Sequence, residues 1–296
     1  MRGPSPTPGL AQAEAPLPAA ATAKAAAPAA AYATRPAAAR VVAALAGRDL
    51  RRFFRAPSRV VGSLAQPLLL WAVLGAGLGD SFRAAATGAA GNGYLGYFYP
   101  GTIVLTMLFT AIFSTMSVIE DRHHGFLQAV LVAPVSRSSL VLGKTLGGVS
   151  IALLQAVALV ALAPLAGFPL TAIDLPLVLA ALVLAAVGFT ALGFAVAWWI
   201  DSTQGYHGIM SVALIPLWML SGAMFPAAGG SAWVRALMTA DPMTYAVSAV
   251  RRGLYGDALP AGLLPAWSSA PLELAVTAAF AILSLALATA LCRRRA

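Results

Sequence analysis

The run LPLVLAALVLAAVGFTALGFAVAWWI, residues 175–200, holds no charged side chain. A hydrocarbon core about 30 Å thick is crossed by about 20 apolar residues in a helix. A helix that is apolar on every side has no face to offer water. Pro176 stands at its start, where a missing N–H costs nothing. Five more apolar runs lie around it, near 60–79, 101–119, 139–163, 206–225 and 272–291. The reading is an all-α integral membrane protein of six transmembrane helices. Gln66-Pro67 falls in the first span, and Pro216 predicts a kink in the fifth. Tyr94, Tyr97, Phe98 and Tyr99 precede the second, where an aromatic belt is expected.

Composition points the same way. The 296 residues are 60% hydrophobic and 10% charged, against roughly a quarter charged in soluble domains. So little charge cannot cover a water-facing surface of this size. The net charge of +9 would raise nucleic acid in a soluble protein. In a membrane protein, basic residues gathered on one side of the bilayer explain it more simply, and no nucleic-acid partner is expected. Cys292 is the only cysteine, so no internal disulfide is possible. Its place beside Arg293-Arg294-Arg295 suits acylation, or it is a bystander thiol.

Residues 1–36 are rich in Ala and Pro and have nothing large to bury, which predicts disorder. No apolar core follows Arg2, so they do not read as a signal peptide. The membrane domain is placed at 37–296. It begins with an amphipathic helix over 37–56. Val42, Leu45, Leu50, Phe53 and Phe54 share one side, while Arg40, Arg48, Arg51, Arg52 and Arg55 share the other, with Val41 a misfit at the edge. Such a helix beside a span is expected along the interface, its arginines near anionic lipid heads.

Lys and Arg set the orientation. With the N-terminus inside, the cytoplasmic side holds 15 of the 19 and the outside holds Arg83, Arg235, Arg251 and Arg252. Six spans return the C-terminus to the inside. The external stretch 226–271 contains Trp233, Leu237, Met238, Tyr245 and Leu254, which predicts folding back on the membrane surface. Asp241-Pro242 looks like an N-cap with Pro in the first turn of a helix running to about Tyr255.

No catalytic site is recognisable. The spans are nearly free of ionisable groups; Lys144 lies near the inner end of span three, where it can snorkel, and Asp201 ends span four. An ion-coupled secondary transporter usually keeps intramembrane carboxylates, so this alternative is disfavoured. A membrane assembly factor without transport activity is another alternative. Thr106, Thr110, Ser114 and Gln155 either line a translocation path or make helix–helix hydrogen bonds. The stretch 138–145 nearly matches a phosphate loop, but Ser138 replaces its first Gly and no strand precedes it. His123-His124 have no other nearby ligand that would make a metal site.

The segment 120–134 is the most informative outside the spans. Glu120 and Asp121 precede a short helical run, which suits a helix N-terminus. Phe126, Leu127, Val130 and Leu131 share a face, and Pro134 ends the run. This helix either inserts into a groove on a partner or lies on the protein's own base.

At these residues a family becomes recognisable. EDRHHGFLQAVLVAPVSRSSLVLGKTLGG (120–148) resembles the first cytoplasmic loop of type-2 ABC transporter permeases. Glu120 or Asp121, Gly125, Pro134, Ser136-Arg137 and Gly143-Lys144 carry the match. LSGAMFP (220–226), with Ser221, Gly222, Phe225 and Pro226, resembles the outer end of the family's span five. DPMTYAVSAVR (241–251), with Asp241, Pro242, Tyr245 and Arg251, resembles its external loop, Asp241 replacing the commoner Asn. FYPG (98–101) fits the drug-exporter branch. The resemblance implies a permease subunit that pairs with a second copy or a paralogue and binds a separate ABC ATPase dimer. ATP and Mg would be held in that ATPase and no cofactor in this chain. It also implies a coupling helix near 125–133, an interfacial helix near 37–56, and export of a hydrophobic or amphiphilic compound across a cytoplasmic membrane. The high Ala and Arg content suits a GC-rich bacterial genome.

Overall fold

A computed structural model describes residues 38–85, 93–133, 135–227 and 230–294. The tail 1–36 and Pro134 lie outside the described residues. The described chain contains no strand. Its helices are α1 (Ala38–Phe54), α2 (Pro57–Ala85), α3 (Gly93–Ser114), α4 (Met116–His123), α5 (Phe126–Val132) and α6 (Arg137–Ala161). There follow α7 (Leu175–Trp199), α8 (Thr203–Trp218), α9 (Ala232–Ala240), α10 (Pro242–Tyr255) and α11 (Ala270–Arg294). Among the described residues, six stretches are long and apolar enough to span a bilayer: Val60–Gly77, Gly93–His123, Arg137–Ala161, Leu175–Trp199, Thr203–Ala223 and Ala270–Arg294.

Local sequence sets the helix ends. Ser136 opens α6 by accepting from the Ser139 N–H at 3.1 Å, and Asp174 opens α7 by accepting from Leu177 at 3.1 Å. The phosphate-loop look-alike is therefore the first turns of a membrane helix. Pro67 and Pro100 lie inside α2 and α3; membrane helices tolerate proline where neighbours satisfy the freed carbonyls. α8 continues past Pro216 into a wider turn, Met219–Ala223, and the break falls at Gly222, whose φ is +79°.

α3 and α7 form the centre of the bundle, each buried along most of its length. α2 packs on α3, α6 on both, and α11 along α7. Span two starts earlier than the pattern predicted, at Gly93. Its aromatic run lies in the helix and is buried, not arrayed as a belt facing lipid. The hydroxyls explain why: Tyr97 donates to the Gly222 carbonyl at 2.7 Å and Tyr99 to that of Leu159 at 2.6 Å. The Tyr94 ring stacks on Phe98 at 5.6 Å, and Phe98 meets Trp218 edge to face at 5.7 Å.

The stretch after span five also differs from expectation. α9 leaves Trp233 and Leu237 exposed, as a surface segment does. α10 is buried against α7, α11 and α3. Asp241 caps it, accepting from Met243 N–H at 2.8 Å. The Gly253 carbonyl also accepts from the Asp174 N–H at 2.8 Å, tying α10 to the start of α7.

Candidate functional site

α1 lies along α6, and glycine allows the close approach. A Cβ at Gly143 would meet Leu45 at 2.9 Å, and one at Gly147 would meet Asp49 at 3.2 Å. This is small-xxx-small helix packing. The buried stripe of α1 is Leu45, Asp49 and Phe53. An aspartate sits in the middle of it because Lys144 of α6 waits opposite.

Lys144 Nζ donates to Asp49 at 3.0 and 3.1 Å, to Asp121 at 2.5 Å and to Ser117 at 3.3 Å. Its side chain is 2% exposed, so it does not snorkel to water as expected. Arg48 completes Asp121 with a bidentate pair at 2.6 and 2.8 Å. Arg52 pairs with Glu120 at 2.6 Å. Three cations and three carboxylates thus join α1, α4 and α6 in one neutral cluster. Burial pushes the Asp49 carboxyl above its ordinary range against the pull of Lys144. The hydrogen bond to Asp121 holds the Arg48 guanidinium more firmly protonated.

The cluster corrects the expected role of Glu120 and Asp121. They do not open the short helix; they close the one before it, α4. The acidic side chains face the unfavourable end of a helix dipole and are stabilised there by Arg48, Arg52 and Lys144. Gly125 then reverses the chain in the left-handed region, φ +72°, and α5 begins.

Arg48 also reaches α5, with its guanidinium 3.7 Å from the centroid of the Phe126 ring. Leu127 is buried, and Phe126, Val130 and Leu131 are partly buried against the core. The shared apolar face therefore lies on the protein's own base. The side of α5 that faces away carries Gln128, Ala129 and Val132, the last 89% exposed. The arginines expected at the interface divide accordingly. Arg48 and Arg52 turn to the carboxylates, while Arg51 and Arg55 stay exposed beside Phe54. Phe53 packs inward.

Above the cluster opens a cavity of about 730 Å³. α2, α3, α6 and α8 wall it, and Asp49, Arg52 and Glu120 reach its charged end. Thr106, Thr110, Ser114 and Gln155 all line it. They also bond helices together: Thr110 donates to Gln155, and Gln155 donates to Ser63 of α2 at 2.7 Å. Thr106 and Ser114 instead bond their own helix, at Thr102 and Ala111. The sequence reading passed over His207, which lines the same cavity, and Glu273. Glu273 is fully buried at the start of span six and pairs with Arg252 at 2.9 Å. Both lie at the ends of apolar runs, where periodicity draws no attention to them.

At the other end of the bundle the two outer motifs meet. Arg251 is 2% exposed and donates to the carbonyls of Gly222, Tyr97 and Leu263 at 3.0, 3.4 and 3.4 Å. Ser221 bonds the Trp218 carbonyl, and Tyr245 bonds that of Thr239. Phe225 and Pro226 are partly buried beside them, and Pro242 occupies the first turn of α10. No group of three or more His, Cys, Asp or Glu residues suited to a metal occurs among the described residues. His123 and His124 are exposed and bond the backbone of Asp201 and Glu120.

A six-span bundle with a cavity among its spans, and a charged clamp that holds a short helix at one end, is the architecture of a multi-pass membrane protein. Residues 40–255 match the ABC-2 type transporter family, and the chain belongs to it. It is 37% identical over 84 residues to a protein of Cyanophora paradoxa named "Putative transport permease ycf38". It is 32% identical over 122 residues to one of the same name from Pyropia yezoensis. These matches cover 28% and 40% of this chain and the same shares of the two relatives, so each spans less than half of either protein.

Proposed function

We propose that this chain is the membrane subunit of an ATP-driven exporter of hydrophobic or amphiphilic compounds. It works as a pair of permease copies or paralogues with a separate ATPase dimer that holds ATP and Mg. The bias of Lys and Arg puts the basic end and both termini in the cytoplasm, with the chain in a bacterial cytoplasmic membrane. Arg51, Arg55 and Phe54 then meet the lipid headgroups.

The observation that carries the reading is the clamp on α5. Arg48 bonds Asp121 and covers Phe126, while Asp121 shares Lys144 with Asp49. A displacement of α5 is thereby passed to α1, α4 and α6 through these shared contacts. Those elements also reach the cavity, so a push on α5 from an ATPase changes the space among the spans. Docking uses the outward side, Gln128, Ala129 and Val132, set in a groove of the partner.

Val132→Asp tests this. Co-purification of the tagged full chain should recover an ATP-hydrolysing subunit. The variant should lose most of that recovery and keep the wild-type thermal midpoint, since Val132 supports no packing. An intact chain that never associates with an ATPase sinks the reading. So does a Val132→Asp chain that associates as well as wild type.

A further inference from the structure

The cavity changes character along its length. At the charged end stand Arg52 and Glu120, paired at 2.6 Å with side chains 41% and 28% exposed, beside Asp49, whose charge is already met by Lys144. At the far end the wall is Leu70, Leu105 and Trp218. Between them, on α8, sits His207. Its ring stacks on Phe113 at 4.7 Å and 15°, and Nδ1 lies 3.4 Å from Ser211 Oγ. Its Nε2 has no hydrogen bond among the described residues. His207 is exposed although it belongs to a span. A polar ring turned to hydrocarbon forfeits its hydrogen bonds, and intramembrane ionisable side chains turn to a cavity or a partner. His207 turns to this cavity.

We propose that the cavity takes a single-chain amphiphile with a zwitterionic head, held head toward the charged end, and that His207 is a specificity residue that hydrogen-bonds the head. The head faces the cytoplasmic leaflet only if the permease reading above is right; the binding itself rests on the cavity alone.

Size and charge select this class. A volume of about 730 Å³ lies within the roughly 300–1,000 Å³ that suits a drug-sized ligand. An anionic head would take Arg52 and strand Glu120, and a cationic head would do the reverse. Either leaves one partly exposed charge without its partner, a modest preference that salt weakens. A zwitterion replaces each half of the pair with an opposite charge. The tail then lies along the apolar wall, where burial of each methylene is favourable.

The test uses the full chain in nanodiscs without ATP or an ATPase, so failure to couple to an ATPase leaves it unaffected. Two photoreactive lysophosphatidylcholines serve as probes, one with a diazirine at the tail end and one beside the head. Tail labelling should fall on Leu70, Leu105 and Trp218, and head labelling near His207 and Ser211. Reversed or evenly spread labelling overturns the orientation. Dodecylphosphocholine should protect from labelling at lower concentration than dodecyl phosphate or dodecylamine; equal protection by either overturns the head assignment. His207→Leu should weaken protection by dodecylphosphocholine roughly tenfold, as loss of a hydrogen bond to a charged group does, and leave protection by dodecanol unchanged. His207→Gln, which keeps a donor, should restore most of it. If His207→Leu is protected like wild type, His207 is not the residue; if His207→Leu fails to fold, His207→Ala is read in its place against the same two outcomes.

Discussion

The two ends of the bundle bury charge in opposite ways. At the basic end, each buried charge has a partner of opposite sign on another helix, and Lys144 divides itself between two carboxylates. At the other end, Arg251 is held by three backbone carbonyls and the face of Tyr97, 4.4 Å away. Asp241 there is held by the Met243 N–H and the Thr244 hydroxyl. Charges that share partners can exchange them as helices shift, at little cost if none is left alone. A charge held by fixed backbone dipoles has one position. On the function proposed above, the first end transmits movement; the second anchors the turn after span five. Arg252 and Glu273 are the exception at the anchored end, and they tie α10 to α11.

The largest effect expected from breaking this contrast is at Lys144. Lys144→Met removes the one cation on Asp49 within hydrogen-bond distance; the nearest other is Arg48 at 4.0 Å. Removing one partner of a buried pair costs about 3–5 kcal/mol. Thermal unfolding of the purified chain should show that loss. Lys144→Met with Asp49→Leu should recover most of it, because Arg48 still serves Asp121. A double variant no better than the single would show that the cluster acts through packing and not through charge balance.

Next in size is the pH dependence of the anchored end. Desolvation pushes the Asp241 carboxyl up to about 7, against an unfolded value near 4. The folded state therefore binds the proton more tightly than the unfolded chain does. Its contribution to stability is fully present below about pH 4 and is lost as pH rises through about 7. Asp241→Asn keeps the cap and removes the ionisation. The wild-type thermal midpoint should fall between pH 5 and pH 8 relative to the variant, and the two should converge in acid. Parallel curves would mean that Asp241 is charged without penalty.

Much of this was legible in the sequence and some was not, for separable reasons. The six spans were readable because bilayer thickness imposes a length on apolar runs. The cap at Asp241 was readable because it is local. Asp49 and Lys144 were each visible, yet their pairing is 95 residues apart in sequence and depends on Gly143 and Gly147 letting α1 approach. Phe126 and Leu127 were correctly placed on one face, but periodicity cannot say whether a face meets its own protein or another. The burial of α10 was hidden for a similar reason. Its moderate polarity reads as surface, whereas Arg251 is satisfied by carbonyls that only the fold brings near.

The smallest effect on stability belongs to Arg52. Its pair with Glu120 is the most exposed of the clamp contacts, and exposed pairs contribute about 0–1 kcal/mol. Arg52→Gln should move the thermal midpoint far less than Lys144→Met does. The shift should shrink further at high salt, which screens exposed charges and spares buried ones. Glu120→Gln should behave alike. This pair lies in the clamp and on the cavity wall together, so breaking it leaves the buried part of the clamp intact. An Arg52→Gln variant as unstable as Lys144→Met would erase the gradation from fixed to exchangeable charge within the clamp itself.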